Sequence, residues 1–168
     1  MVCTMVNLVI MRHGDAEPLR SQDSQRELTA RGRADVAQMA NWLASHYQAF
    51  DFILHSPFVR TTQTAELMWQ AQSPKPVLET LAELIPEGDC LQVQLYVDAL
   101  LATKPDARIL LVSHMPLVSF LVETFSRNGQ APIFETSSLV TLQYEPGQAA
   151  VMLEKVGVLD LPPTNQGS

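Results

Sequence analysis

The sequence has little cysteine, little basic charge, few glycines and no long apolar run. Cysteine occurs only at Cys3 and Cys90, too few for a disulfide framework, so a reducing cytoplasm is the expected setting. No apolar stretch approaches the roughly 18–20 residues that cross a bilayer. The apolar Val6–Met11 run has no basic residue before Arg12 and no small-residue cleavage site, which argues against a secretory leader. Eleven bases face 18 acids, a formal net charge of −7, which argues against nucleic-acid and anionic-membrane partners. The seven glycines form neither Gly-x-Gly-x-x-Gly nor Gly-x-x-x-x-Gly-Lys, so both glycine-rich phosphate loops are missing. Neither cysteine is followed six residues on by arginine, which removes the cysteine-phosphatase loop. There is no His-Glu-x-x-His and no metal-spaced carboxylate cluster, so no metal site and no cofactor are expected.

What is present suits one hydrophobic core. The 168 residues are 46% hydrophobic, contain no repeat or low-complexity tract, and predict a single domain over 1–160 with a flexible tail over 161–168. Met1 and Met5 both fit as starts. Charge is spread unevenly. Through Leu84 the net is −2, beyond it −5, and five of the eleven bases fall between Arg12 and Arg33. An acidic chain that gathers arginines near one N-terminal loop is suited to hold an anion there.

The order of elements is strand, helix, strand, helix. Val6–Met11 reads as a buried strand, followed by a polar loop to Leu28 of functional length. Thr29 is placed to cap a helix whose stripe is Val36, Ala40, Leu43 and Tyr47. Phe52–His55 predicts a second strand, with Ser56 as cap and Pro57 as first residue of a helix to about Gln70. A short extended segment is expected near Val77–Leu78, then a helix over about Asp89–Thr103 with Leu91, Leu95 and Val97–Leu101 on its apolar face. Arg108–Val112 is the clearest strand, and Pro116 opens a helix to Phe125. Alternation over Ser138–Tyr144 and over Ala149, Val151 and Leu153, around Pro146-Gly147, predicts a hairpin. The fold class is therefore α/β: a three-layer sandwich with a mainly parallel central sheet, helices on both faces and a C-terminal antiparallel hairpin.

Parallel sheets bind ligands beyond the carboxyl ends of their strands. That rule selects Arg12-His13-Gly14, His55 through Arg60, and Ser113-His114. Taken singly, each has an ordinary reading: a basic loop, a surface arginine, a capping histidine. Gly14 would let a backbone approach an anion closely. Arg60 stands in the first turn of a helix, where a cation gains nothing from the helix dipole unless an anion lies between. A guanidinium fork suits a phosphoryl group because it grips two oxygens at once. His46 reads as a dipole partner at a helix C-terminus, and His55 as structural. Together, two arginines and two histidines from three strand ends would converge on one pocket.

Arg12-His13-Gly14, Ser56-Pro57-x-x-Arg60 with Thr-Gln-Thr-Ala, and Ser113-His114 together resemble the histidine phosphatase superfamily, whose fold is phosphoglycerate mutase-like. The match runs to about Leu153. Within the superfamily, Glu83-Leu84-x-Pro86-x-Gly88-Asp89 and Ser113-His114-x-Pro116-Leu117-Val118 are similar to the bacterial SixA group of phosphohistidine phosphatases. The resemblance implies that His13 attacks phosphorus through a neutral ring nitrogen, that Arg12 and Arg60 hold the phosphoryl oxygens, and that His114 donates to them. It implies no metal. It also implies a phosphorylated, histidine-containing transfer domain of a signalling relay as partner. A monomer is expected, although no feature of the sequence speaks to oligomeric state. Arg26 resembles a basic residue beside the site in that group, with an ordinary surface arginine as the other reading. Glu83 and Glu87 are the two candidates for a general acid, and each reads equally as a solvated loop carboxylate. They keep a small-molecule phosphomonoesterase open as the alternative, and a non-catalytic phosphoprotein-binding module is the third reading.

Overall fold

The computed structural model describes residues 6–19 and 22–162. Cys3 and the two candidate starts, Met1 and Met5, lie outside them, as does the expected tail from 163 on.

Six strands form one sheet: β1 (Leu8–Arg12), β2 (Phe52–His55), β3 (Val77–Thr80), β4 (Ile109–Ser113), β5 (Leu139–Gln143) and β6 (Val151–Val156). Their order is β3-β2-β4-β1-β5-β6. The first four strands run parallel; β5 joins β1 antiparallel, and β6 closes the predicted hairpin against β5. Four helices cover the sheet: α1 (Ala30–His46), α2 (Val59–Gln70), α3 (Cys90–Thr103) and α4 (Leu117–Ser126).

The strand side chains explain the three layers. Successive residues of a strand point to opposite faces. Leu8, Ile10, Leu54, Ile109 and Leu111 join Val93, Val97 and Leu101 of α3 and Leu121, Val122 and Phe125 of α4 in one buried cluster. Their neighbours Val9, Met11, Ile53, Leu110 and Val112 join Val36, Met39 and Leu43 of α1 and Ala65 and Met68 of α2 in the other. The inner parallel strands β1, β2 and β4 are apolar on both faces because each face meets a helix pair, whereas the edge strand β3 carries Glu79 and Thr80 and is partly exposed. The three-layer α/β expectation is thus met.

Local differences have local causes. Thr29 caps α1 as expected, accepting from Gly32 N at 2.9 Å, while its own hydroxyl donates to Asp15 Oδ2 at 2.7 Å. The second long helix starts at Val59 rather than Pro57, and Ser56 does not cap it; the residue at the cap position is Phe58. The Ser56 hydroxyl instead lies between Phe58 N and the ring of His114. In α3, Leu91 and Leu95 point outward and the buried stripe is Val93, Val97 and Leu101. That helix is so apolar around its circumference that periodicity did not single out the correct face. Leu161, expected to open a loose tail, is buried in the α1–α2 cluster behind the short helical turn Val158–Asp160.

Candidate active site

Three strands adjacent in the sheet, β2, β4 and β1, deliver the candidate residues from their carboxyl ends. Main-chain bonds hold the ends together: His13 N donates to Ser113 O at 3.0 Å, Arg12 N to Ser138 O at 3.0 Å, and Ser56 N to Val112 O at 3.3 Å. His13 and His114 then stand edge to face, their ring centroids 5.2 Å apart.

The bonds of His13 define its chemistry. Nδ1 lies 2.6 Å from the Gly14 carbonyl, an acceptor only, so Nδ1 carries the proton. Nε2 accepts from Arg60 Nε at 3.2 Å and therefore holds a lone pair. This is a neutral imidazole with its basic nitrogen facing a guanidinium. Burial, with Arg60, Arg12 and Arg26 nearby, lowers its pKa to about 4, although the Gly14 bond opposes the shift. His114 is lowered further, to about 2, by burial and then by His13 and Arg60. Its Nε2 is 2.9 Å from Ser56 Oγ, which itself accepts from Phe58 N. Donation of the Ser56 hydroxyl proton to His114 Nε2 satisfies both groups and places the His114 proton on Nδ1. His114 Nδ1 is buried and has no hydrogen-bond partner, and neither has Arg12 Nε.

The arginines are fixed by the protein. Arg12 Nη1 donates to Phe134 O at 2.9 Å, which aims it from the segment before β5. Arg60 is buried, with its guanidinium carbon 5.1 Å from the Phe58 ring centre. Burial lowers the pKa of both, with neighbouring arginines adding to the effect. The countercharge comes from Asp23, in a 3-10 turn of the β1–α1 loop, whose Oδ2 is 3.1 Å from Arg60 Nη2 and whose Oδ1 is 2.9 Å from Arg26 Nη1. Arg26 thereby joins the cluster through Asp23. Asp23 was missed by sequence reasoning: it lies mid-loop, in no motif, and only folding of the loop back onto α2 brings it to Arg60.

Gly14 has a packing role beyond the one expected. A Cβ there would lie 2.7 Å from Val36 Cγ2 and 3.0 Å from the Gly32 carbonyl, so its bareness admits α1. At Gly32 a Cβ would sit 2.1 Å from Asp15 O. These two glycines let the loop after β1 lie directly on α1. Gly14 N donates to Thr64 Oγ1 at 3.1 Å, tying that loop to α2 as well.

The two loop carboxylates do not join the cluster by any hydrogen bond or ion pair among the described residues. Glu83 accepts from Asp89 N at 3.0 Å and braces the turn before α3. The carbonyl of its neighbour Leu84 accepts from Ser113 Oγ at the end of β4 at 2.6 Å. Glu87 is exposed. His55 is buried, with Nδ1 2.8 Å from Ser56 O, and His46 contacts Trp42 O at the last turn of α1; both match their structural readings. Among the described residues no group of three or more His, Cys, Asp or Glu side chains is placed to hold a metal, and no helix is long and apolar enough to cross a membrane.

Residues 8–85 match the histidine phosphatase superfamily (branch 1). The chain is 36% identical over 137 residues to phosphohistidine phosphatase SixA of Escherichia coli, covering 82% of this chain and 84% of that protein. A phosphohistidine phosphatase SixA homolog of Haemophilus influenzae is 27% identical over 157 residues, covering 89% of this chain and 95% of that one. Among solved structures, the protein histidine phosphatase SixA complexed with tungstate superposes with a TM-score of 0.86 at 33% identity, covering 92% of this chain and 99% of that one.

Proposed function

The chain belongs to the histidine phosphatase superfamily as a SixA-like phosphohistidine phosphatase, a hydrolase, and from that premise we propose that it removes the phosphoryl group from a histidine-containing phosphotransfer domain through a phosphohistidine on His13. The observation that carries this reading is the state of His13: Nδ1 bonded to a carbonyl and Nε2 left as a lone pair beside Arg60. A neutral imidazole is the nucleophilic form, and burial keeps it neutral well below pH 7.

In the first step His13 Nε2 attacks phosphorus, a new N–P bond forms, and the P–N bond to the partner's histidine breaks. The bond's electron pair stays on the leaving nitrogen, and because the other nitrogen of the partner's ring already carries a proton, the leaving group is a neutral imidazole. In the second step water attacks the phosphoryl group on His13, inorganic phosphate leaves, and His13 regains its lone pair. Arg12 and Arg60 hold the phosphoryl oxygens, and His114 donates its Nδ1 proton as a hydrogen bond while charge builds on them. A neutral imidazole leaves far more readily than an alkoxide, so the reaction places little demand on Glu83 or Glu87. The connection from β3 to α3 is only the nine residues 81–89, and that from β4 to α4 the three residues 114–116, which suits a site that a protein-borne phosphoryl group must enter.

The test is incubation with a phosphorylated transfer domain, followed by rapid acid and alkaline quench. Release of phosphate by the wild type, loss in His13→Ala, and an acid-labile, alkali-stable adduct on His13 are expected. A binding module would show none of these. Because Leu84, the neighbour of Glu83, is held to the end of β4, turnover of sugar phosphates should also be measured. Appreciable turnover lost in Glu83→Gln would favour the phosphomonoesterase reading instead.

A further inference from the structure

Arg60 divides its donors between two neighbours. Nε faces His13 Nε2 at 3.2 Å. Nη1 donates to the main-chain oxygen of Asp23 at 2.7 Å, and Nη2 to its carboxylate Oδ2 at 3.1 Å. The outer edge of the guanidinium, the one presented by its two Nη atoms, is therefore filled by a single residue using two oxygens. The side edge, which carries Nε, is turned toward the nitrogen that attacks phosphorus. The other carboxylate oxygen binds Arg26 Nη1 at 2.9 Å, and Arg26 Nε is anchored on the Glu17 carbonyl at 2.6 Å.

We infer that Asp23 is a positioning residue: by occupying the outer edge of Arg60 it aims the Nε edge at the phosphoryl group on which His13 acts. The inference rests on the reading of His13 as nucleophile. An arginine has a long side chain with several rotamers, and an aimed donor stabilises developing charge far better than one that must first find its orientation. Burial alone does not choose which edge of the fork faces inward; Asp23 does. It also supplies a negative charge that bridges Arg26 and Arg60, and the bonds from those two arginines lower its pKa from the ordinary carboxylate value. The arrangement differs from a carboxylate that merely occupies the place of substrate, since the edge facing His13 is left clear of Asp23.

Asp23→Ala and Asp23→Asn in the full chain separate these roles. The readouts are turnover of phosphoramidate and of a phosphorylated transfer domain, affinity for inorganic phosphate by calorimetry, and the Arg60 Nε–H resonance by nitrogen-15 NMR. Asp23→Ala is expected to lower kcat roughly 10- to 100-fold, with phosphate bound as tightly as by the wild type or more tightly, because a negative charge has gone. Asp23→Asn, which keeps a side-chain oxygen for Nη2, should recover most of that kcat. The Arg60 Nε–H signal should exchange rapidly in Asp23→Ala and slowly in Asp23→Asn. A kcat in Asp23→Ala equal to or above the wild type would overturn the inference and make Asp23 a displaceable stand-in for substrate. Equal losses in both variants, matched by lower melting temperatures, would overturn it in favour of a purely structural loop contact. Should the wild type turn over no P–N substrate, the functional reading fails, while phosphate affinity and the Arg60 signal still decide whether Asp23 holds Arg60.

Discussion

Two buried arginines stand at opposite ends of the sheet, each beside an aromatic ring. Arg60, at the carboxyl end, lies 5.1 Å from the centre of Phe58; Arg108, at the amino end, lies 5.7 Å from that of Phe50. Both are almost inaccessible. Arg108 even lines a cavity of about 670 Å³ with Asn7, Gln143 and Tyr144. The difference lies in the groups they bind. Arg108 Nη1 and Nε donate to the main-chain oxygens of Val6 and Gln48, and its own N–H donates to Asp51 Oδ2 at 2.8 Å. Its side chain clamps two segments through main-chain carbonyls, which never change charge. Arg60 instead faces an imidazole lone pair and a charged partner, the carboxylate of Asp23 on a loop. Burial and cavity volume are thus poor guides to chemistry here, and the nature of the acceptor is a good one.

That contrast can be broken by mutation. The largest effect is expected for His13→Ala, which should lower kcat by more than about 10⁴-fold, while its melting temperature stays near or above the wild type's; differential scanning calorimetry beside the phosphatase assay checks both. Arg108→Met should do the reverse. Leaving the Val6 and Gln48 carbonyls without their donor should cost about 3 kcal/mol of stability, seen as a lower urea midpoint, with kcat of the folded protein within about twofold. Arg60→Lys keeps the charge but loses the fork, and should lower kcat about 100-fold with a stability change under about 1 kcal/mol. If Arg60→Lys destabilises as much as Arg108→Met, the two arginines are alike and the contrast is lost.

The pH dependence sharpens the same comparison. His13 and His114 have folded-state pKa values below the ordinary 6.5, at about 4 and about 2. Below pH 6.5 the unfolded chain takes up protons that the folded chain refuses, so stability falls as pH drops from about 6.5 toward 4 and levels off only beneath the folded values. Each histidine should contribute about 2 kcal/mol of loss between pH 7 and 5. Urea midpoints at the two pH values measure it, and His114→Asn should flatten the slope. The nucleophile itself stays neutral over that interval, so kcat should not fall with the titration of an ordinary histidine. The smallest effect belongs to the cap: Thr29→Ala should cost about 1 kcal/mol, measurable as a shifted midpoint with kcat unaltered.

The strand ends were legible because a parallel sheet puts motif residues at one edge whatever the details of its loops. Arg12, His13, Arg60 and His114 meet for that reason. Asp23 was not legible, since its position depends on how an irregular loop folds back on α2. Gly14 was legible as a needed glycine but not for the close approach of α1. Ser56 was assigned to a cap because Ser-Pro is a common helix opening; a tertiary bond to His114 took its hydroxyl instead. The buried face of α3 was hidden by an excess of apolar residues, and the fate of Leu161 by the absence of any local pattern around it.

The order β3-β2-β4-β1-β5-β6 also has a consequence for how the protein is made. The first of these strands in chain order, β1, lies in the middle of the sheet, between a partner begun at Ile109 and another begun at Leu139. While the chain emerges from the ribosome, β1 must wait for about a hundred residues before either edge is paired, and loops of that span close late. His13 therefore lies far ahead in the chain of His114, which it meets only through the pairing of β1 with β4. A nascent chain that stops before β5 holds every residue of the candidate site yet leaves one edge of its central strand open, exposed to pairing with other chains.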